Sequence, residues 1–148
     1  MRDVTATTAL AAAATFVWLG MVLAISFIEA PVKFRAPGVT VQIGLGIGRL
    51  VFRALNTVEA ALALVIAIAF IVDAPGRGGG IALSVATVVL VIQLVVIRPR
   101  LTKRSDAVLA AADASLDAPR SHVHLWYVGG EVIKVVALLV GGILLLAD

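Results

Sequence analysis

From Ala9 to Ile28 the chain runs for twenty residues without a charge. No other feature narrows the possible folds as much. As a helix rising ~1.5 Å per residue, this run is about 30 Å long, the thickness of a bilayer's hydrocarbon core. It exceeds the roughly 7–15 apolar residues of a signal peptide, and Arg2 ahead of it is offset by Asp3, so it reads as a membrane span. Pro31, Pro37 and Gly38 then predict a break and a turn. A second helix is expected from Thr40 to Val72, longer than a membrane requires, so that it tilts or projects. Asp73-Ala-Pro-Gly-Arg-Gly-Gly-Gly forms a tight connection to a third span that ends at Ile97. The predicted helices cover 6–29, 40–72, 80–97 and 121–146, within one membrane domain over 1–148. The polar segment 98–120 connects the last two, and Ser105-Asp106 within it is a candidate cap for a short Ala-rich helix ending before Pro119.

Composition agrees with this reading. The chain is 61% apolar and 14% charged, whereas a soluble domain carries about 25% charged residues. It contains no cysteine, which removes disulfides, thiolate metal sites, Fe–S clusters and thiol catalysis. The net charge of +3 is unevenly distributed and is not read as a nucleic-acid surface. Lys33, Arg35, Arg98, Arg100, Lys103, Arg104 and Arg120 fall on one side of the predicted spans, and only Arg2 and Arg77 on the other. The richer side is expected in the cytoplasm. The expectation is an all-α, four-helix transmembrane bundle of up-down topology in the cell membrane, with both termini outside the cytoplasm.

The remaining cations, Arg49, Arg53 and Lys134, lie within helices. A charge at the centre of a span costs ~2.5–3.5 kcal/mol, whereas a Leu or Ile returns only ~0.3–0.6. Such groups must be paired or hydrated. At ~100° per residue, Gln42, Arg49, Arg53 and Asn56 share a stripe ~60° wide, with Glu59 at its edge. In the last helix His124, Tyr127, Glu131 and Lys134 share a stripe ~80° wide. Both stripes fall in the cytoplasmic half, with Gln93 and Glu29 at similar depth. They are expected to face each other, with Glu59 opposite Lys134 and Arg53 opposite Glu131. Two readings are open. On one, the pairs only fix helix register. On the other, they line a polar site that binds or transports an ion, proton or small polar ligand, the arginines attracting an anionic group and the carboxylates balancing charge or relaying protons.

His122-Val-His124 raises a metal site, with His124 and Glu131 as candidate ligands, or a haem ligand. Residues i and i+2 point ~160° apart on a helix, so both histidines reach one ion only before the helix begins. Interfacial histidines are the plainer alternative, and no cofactor is named by the sequence. Trp126 and Tyr127 fit an aromatic belt. Gly44-Leu-Gly46-Ile-Gly48 lacks nucleotide-loop spacing; Gly44 and Gly48 instead read as a small-residue helix contact, as do Gly129-Gly130 and Gly141-Gly142. No triad, P-loop, catalytic carboxylate dyad or zinc motif is present, so a membrane enzyme is the least supported class.

Trp18-Leu19-Gly20, Ala30-Pro31 with Phe34, Gly48-Arg49 with Phe52, Pro99-Arg100-Leu101 and a His near the start of the last helix occur along nearly the whole chain. In these features it resembles the transmembrane protein 205-like family of uncharacterised four-helix membrane proteins. The resemblance implies a four-helix membrane fold and carries over no settled activity. Two functions are therefore weighed: ion or ligand handling by the polar residues, and a structural or accessory role in a larger membrane complex or a homo-oligomer.

Overall fold

The computed structural model describes residues 5–110 and 122–147, without the side chains of 104–105, 108–109 and 122–124. All the regular structure in this range is helical. Helix α1 covers Ala6–Arg35, α2 Val41–Val72 and α4 His122–Ala147. Helix α3 is built of three consecutive pieces, Arg77–Ile92, Gln93–Ile97 and Arg98–Ala110. Four helices are long and apolar enough to cross a membrane, the shortest qualifying stretch being the 23 residues Leu125–Ala147. At ~1.5 Å per residue that is about 35 Å, still more than the ~30 Å core.

Caps define the starts. Thr5 accepts a hydrogen bond from the Thr8 amide at 3.1 Å, and Thr40 from the Ile43 amide at 3.2 Å, each satisfying an amide that the first turn leaves free. Between α1 and α2 the chain turns at Gly38, whose φ of 79° suits a residue without Cβ. Thr5 also donates to Asp73 at 2.7 Å, tying the start of α1 to the end of α2.

The break expected at Pro37 and Gly38 is present, but Pro31 does not end α1, and α3 runs on beyond its expected end at Ile97. Helix α1 continues through Pro31 to Arg35, and α3 through Pro99 to Ala110. A proline inside an α-helix removes one hydrogen bond, and its ring meets the carbonyl four residues earlier. In both places the preceding turns are widened into a π-helix, Leu23–Glu29 in α1 and Gln93–Ile97 in α3. There the Ala30 amide reaches back to Ile25 and the Arg98 amide to Gln93, a five-residue step. The wider turn opens the space that the proline ring needs. The connection expected over 98–120 therefore begins as helix. The short Ala-rich helix expected before Pro119 falls largely on 111–121, outside the described residues.

Helix α4 packs chiefly on α3 and α1, and α2 chiefly on α1, while α2 and α3 meet more sparsely. The apolar core joins Ala11, Trp18, Leu19 and Val22 of α1 to Ile66 and Ala69 of α2, Leu83, Ala86 and Leu90 of α3, and Leu138 and Leu145 of α4. Gly44 and Gly48 accommodate the Phe34 ring and the Lys33 ammonium from the end of α1, which lie where a Cβ would stand. The outer surface is apolar: Leu50, Leu64, Ile71, Ile81, Val95 and Ile143 are all exposed. With polar side chains buried inside and large aliphatic ones outside, the bundle suits lipid as its solvent.

Candidate functional site

In α2 the residues turned into the bundle include Gly48, Leu55, Asn56, Glu59, Ile66 and Ala69. Their spacing by threes, fours and sevens marks one face. Glu59 lies near the middle of that face and is wholly buried. Arg53 sits about 120° away from Glu59 around the helix and is exposed. The stripe expected to hold both is therefore too wide, and Arg53 does not meet Glu131. Arg49 turns to the end of α3, where its guanidinium lies 2.6 Å from Asp106. That pair is partly exposed and lies apart from Glu59.

In α4, Tyr127, Glu131 and Lys134 recur at four and three residues and are all buried. The Lys134 ammonium, with no exposure, lies 2.5 Å from Glu59 Oε1 and 2.9 Å from Glu131 Oε1. One cation thus bridges two carboxylates from different helices. Tyr127 packs edge-on against Phe52 with ring centroids 5.6 Å apart. On that side the Lys33 ammonium lies 5.5 Å from the Phe52 centroid and 3.3 Å from Glu29, a cation–π contact and an ion pair together.

Helices α1 and α3 supply the remaining partners. Trp18 donates its indole N–H to Glu59 Oε1 at 2.8 Å. Ser26, within the π-helical part of α1, donates to Glu131 Oε2 at 2.7 Å. Gln93, the first residue of the π-helical part of α3, donates to Glu131 Oε1 at 2.8 Å and to the Tyr127 carbonyl at 3.3 Å. It comes this close because residue 130 is glycine: a Cβ there would stand 2.9 Å from the Gln93 amide nitrogen. Asn56, with its amide set by the surrounding hydrogen bonds, donates to Glu59 Oε2 at 2.9 Å. Its oxygen then accepts from Arg98 Nε and Nη1, both at 2.9 Å.

All four carboxylate oxygens are therefore occupied by protein donors, as deep burial of two charges demands. The formal charges do not cancel among the fully buried groups, since Glu59 and Glu131 stand against Lys134 alone. Half-buried Arg98 balances the remainder only at one remove, through Asn56. Two buried polar atoms beside Glu131, Gln93 Oε1 and Tyr127 Oη, make no hydrogen bond among the described residues.

Of the residues singled out in the sequence, Asn56, Glu59, Tyr127, Glu131 and Lys134 come together; Arg49 and Arg53 do not. The side chain of His124 lies outside the described residues. Among those described, no group of three His, Cys, Asp or Glu is placed to hold a metal ion. Trp18, Ser26 and Arg98 are partners that the charge pattern does not disclose. Their signals are an indole N–H inside an uncharged span and two prolines that come after spans without ending them. A cavity of about 630 Å³ lined by Phe70, Pro75, Arg77, Ile81 and Val88 includes none of these residues.

No protein-family model matches the chain, and no curated protein or solved structure matches it. The four-helix membrane layout stands on the helices themselves.

Proposed function

We propose that this chain is a multi-pass protein of the cell membrane whose buried cluster binds or transports an ion or small polar ligand. In this reading it crosses four times, up and down, with both termini outside and the cluster in the cytoplasmic half. The seven-to-two excess of Lys and Arg supports that orientation. The observation that carries the function is Lys134 enclosed between Glu59 and Glu131. A device for fixing helix register needs only a neutral pair. The second carboxylate is balanced only at one remove, by half-buried Arg98 through Asn56, and a site for a cationic species is a reason to keep it.

Orientation is tested by single cysteines, which the chain otherwise lacks. With a membrane-impermeant thiol reagent on intact cells, Arg77→Cys reacts and Lys103→Cys does not; the reverse pattern inverts the topology. Function is tested in proteoliposomes by following H⁺, Na⁺ and K⁺ movement in the wild type and in Glu59→Gln and Glu131→Gln. A Glu59→Gln, Glu131→Gln double variant that folds and retains every measured movement reduces the cluster to a packing device.

One observation favours the accessory-subunit reading. A Cβ at Gly129 would meet nothing within 4 Å, and Leu125, Trp126, Val132 and Ile133 around it are exposed, a small-residue face fit for another helix. Co-purification with other subunits at fixed stoichiometry is the outcome that supports it. The resemblance to the transmembrane protein 205-like family adds no activity to either reading.

A further inference from the structure

The partners of the two carboxylates differ in one chemical respect. Glu59 is held by the Trp18 indole, the Lys134 ammonium and the Asn56 amide nitrogen. The first two can only donate. Were the Asn56 amide to turn its oxygen to Glu59, its nitrogen would face the Arg98 guanidinium, donor against donor. Arg98 therefore locks Asn56 as a donor. Glu131 is held by Lys134, by Gln93 and by the Ser26 hydroxyl. A hydroxyl donates or accepts by rotating about one bond. Gln93, if turned, would set its oxygen against the Tyr127 carbonyl, whereas Ser26 opposite Glu131 Oε2 reverses by rotating about one bond without bringing donor to donor or acceptor to acceptor.

With every carboxylate oxygen already in contact with protein, a hydrated metal ion or an organic ligand must displace a buried hydrogen bond to reach the cluster. A proton need not. We propose that the species handled here is the proton, carried on Glu131 Oε2, with Ser26 turning from donor to acceptor as it arrives. This rests on the ion-handling reading above and names its ion. One proton leaves a hydronium ion of the aqueous phase on one side, forms an O–H bond at Glu131 Oε2, and that bond breaks again as the proton passes to water on the other side; no other covalent bond changes. The charged and titratable groups beside Glu131 are Lys134 and Tyr127 on its own helix and Glu59 on α2; Arg98 of α3 stands behind Glu59, through Asn56, and α1 presents to Glu131 the uncharged Ser26. Tyr127, one turn before Glu131, lies on the approach with Gln93; Tyr127 Oη and Gln93 Oε1 are both buried polar atoms without a hydrogen bond among the described residues.

The test uses the full chain in proteoliposomes loaded with a pH-sensitive dye, with a K⁺ gradient and valinomycin setting the potential. Proton flux is expected that persists when Na⁺ is replaced by choline. Glu131→Gln abolishes it. Ser26→Ala slows it about tenfold, the scale of one hydrogen bond to a charged group, and Ser26→Thr, which returns the hydroxyl, recovers it from that level. Acid-minus-alkaline infrared difference spectra provide a readout independent of flux. A protonated-carboxyl band is expected that Glu131→Gln removes, Glu59→Gln leaves and Ser26→Ala shifts. Should Glu131→Gln not fold, the Ser26→Ala shift decides. A band that belongs to Glu59, or one untouched by Ser26→Ala, overturns the assignment. Na⁺ or K⁺ movement without proton movement overturns the proton while leaving the ion-handling reading in place. No movement and no band overturns both.

Discussion

Replacing Lys134 with methionine removes the cation and keeps the length of the side chain. In the wild type the ammonium lies 2.5 Å from Glu59 and 2.9 Å from Glu131, fully shielded from solvent. Without it, two buried carboxylates confront one another, and the least costly relief is uptake of one further proton. A carboxyl that titrates near ~4.3 when exposed takes up a proton at pH 7 at a cost of about 3.7 kcal/mol, at ~1.36 kcal/mol per pH unit. That falls in the ~3–5 kcal/mol range for breaking a buried pair by removing one partner. At pH 5 the same arithmetic leaves about 1 kcal/mol, because the unfolded chain then binds the proton almost as readily. The penalty must therefore shrink as pH falls. Unfolding by SDS in mixed micelles measures it, followed by the fluorescence of Trp18 in a Trp126→Phe background; these are the chain's two tryptophans. The combined Glu59→Gln, Glu131→Gln, Lys134→Met variant should recover most of the loss, since neutral amides need no counter-charge. A Lys134→Met penalty below about 1 kcal/mol at pH 7, the size of an exposed pair, refutes the enclosure of the lysine. So does a penalty that is equal at pH 5 and pH 7.

Trp18→Phe keeps most of the ring's packing but removes the N–H that meets Glu59, and should cost about 1.5–3 kcal/mol in the same unfolding assay. Gly130→Val places a side chain where the Gln93 amide lies and should cost about 1–3 kcal/mol; a Gln93→Ala background should relieve part of it in a double-mutant cycle. Arg53→Ala, at an exposed position, should change stability by no more than about 0.5 kcal/mol and leave ion movement in proteoliposomes unchanged. Reversing the Arg49–Asp106 pair should matter by about 1 kcal/mol or less, and less still in high salt, read from the unfolding midpoint with and without added NaCl.

Much of the polar site was legible because helical periodicity is a local property. Tyr127, Glu131 and Lys134 share a face whatever surrounds them, and Glu59 matched Lys134 in depth from simple counting along the spans. The limit of that reasoning shows at Arg53. Its angle beside Asn56 brought it into the expected stripe, yet the buried face of α2 is centred nearer Glu59, about 120° away, and leaves Arg53 outside. Membership of a site depends on the rotational phase of each helix against its neighbours, and hydropathy reports depth better than phase. Trp18 and Ser26 were missed for a related reason: neither is charged, and their importance comes from the carboxylates that α2 and α4 bring to them.

By itself, the sequence determined that this chain forms long apolar helices suited to lipid, and that ionised groups within them require partners. Both come from one-dimensional properties, the length of uncharged runs and the cost of burying charge. Only the tertiary structure decided which groups meet. The two prolines produce widened turns instead of helix ends, and one extra residue per turn rotates the remainder of the helix by about 100°. Where Ser26 and Gln93 come to lie against Glu131 thus depends on a local distortion and on the packing of four helices together, and neither is written in the order of residues along any one of them.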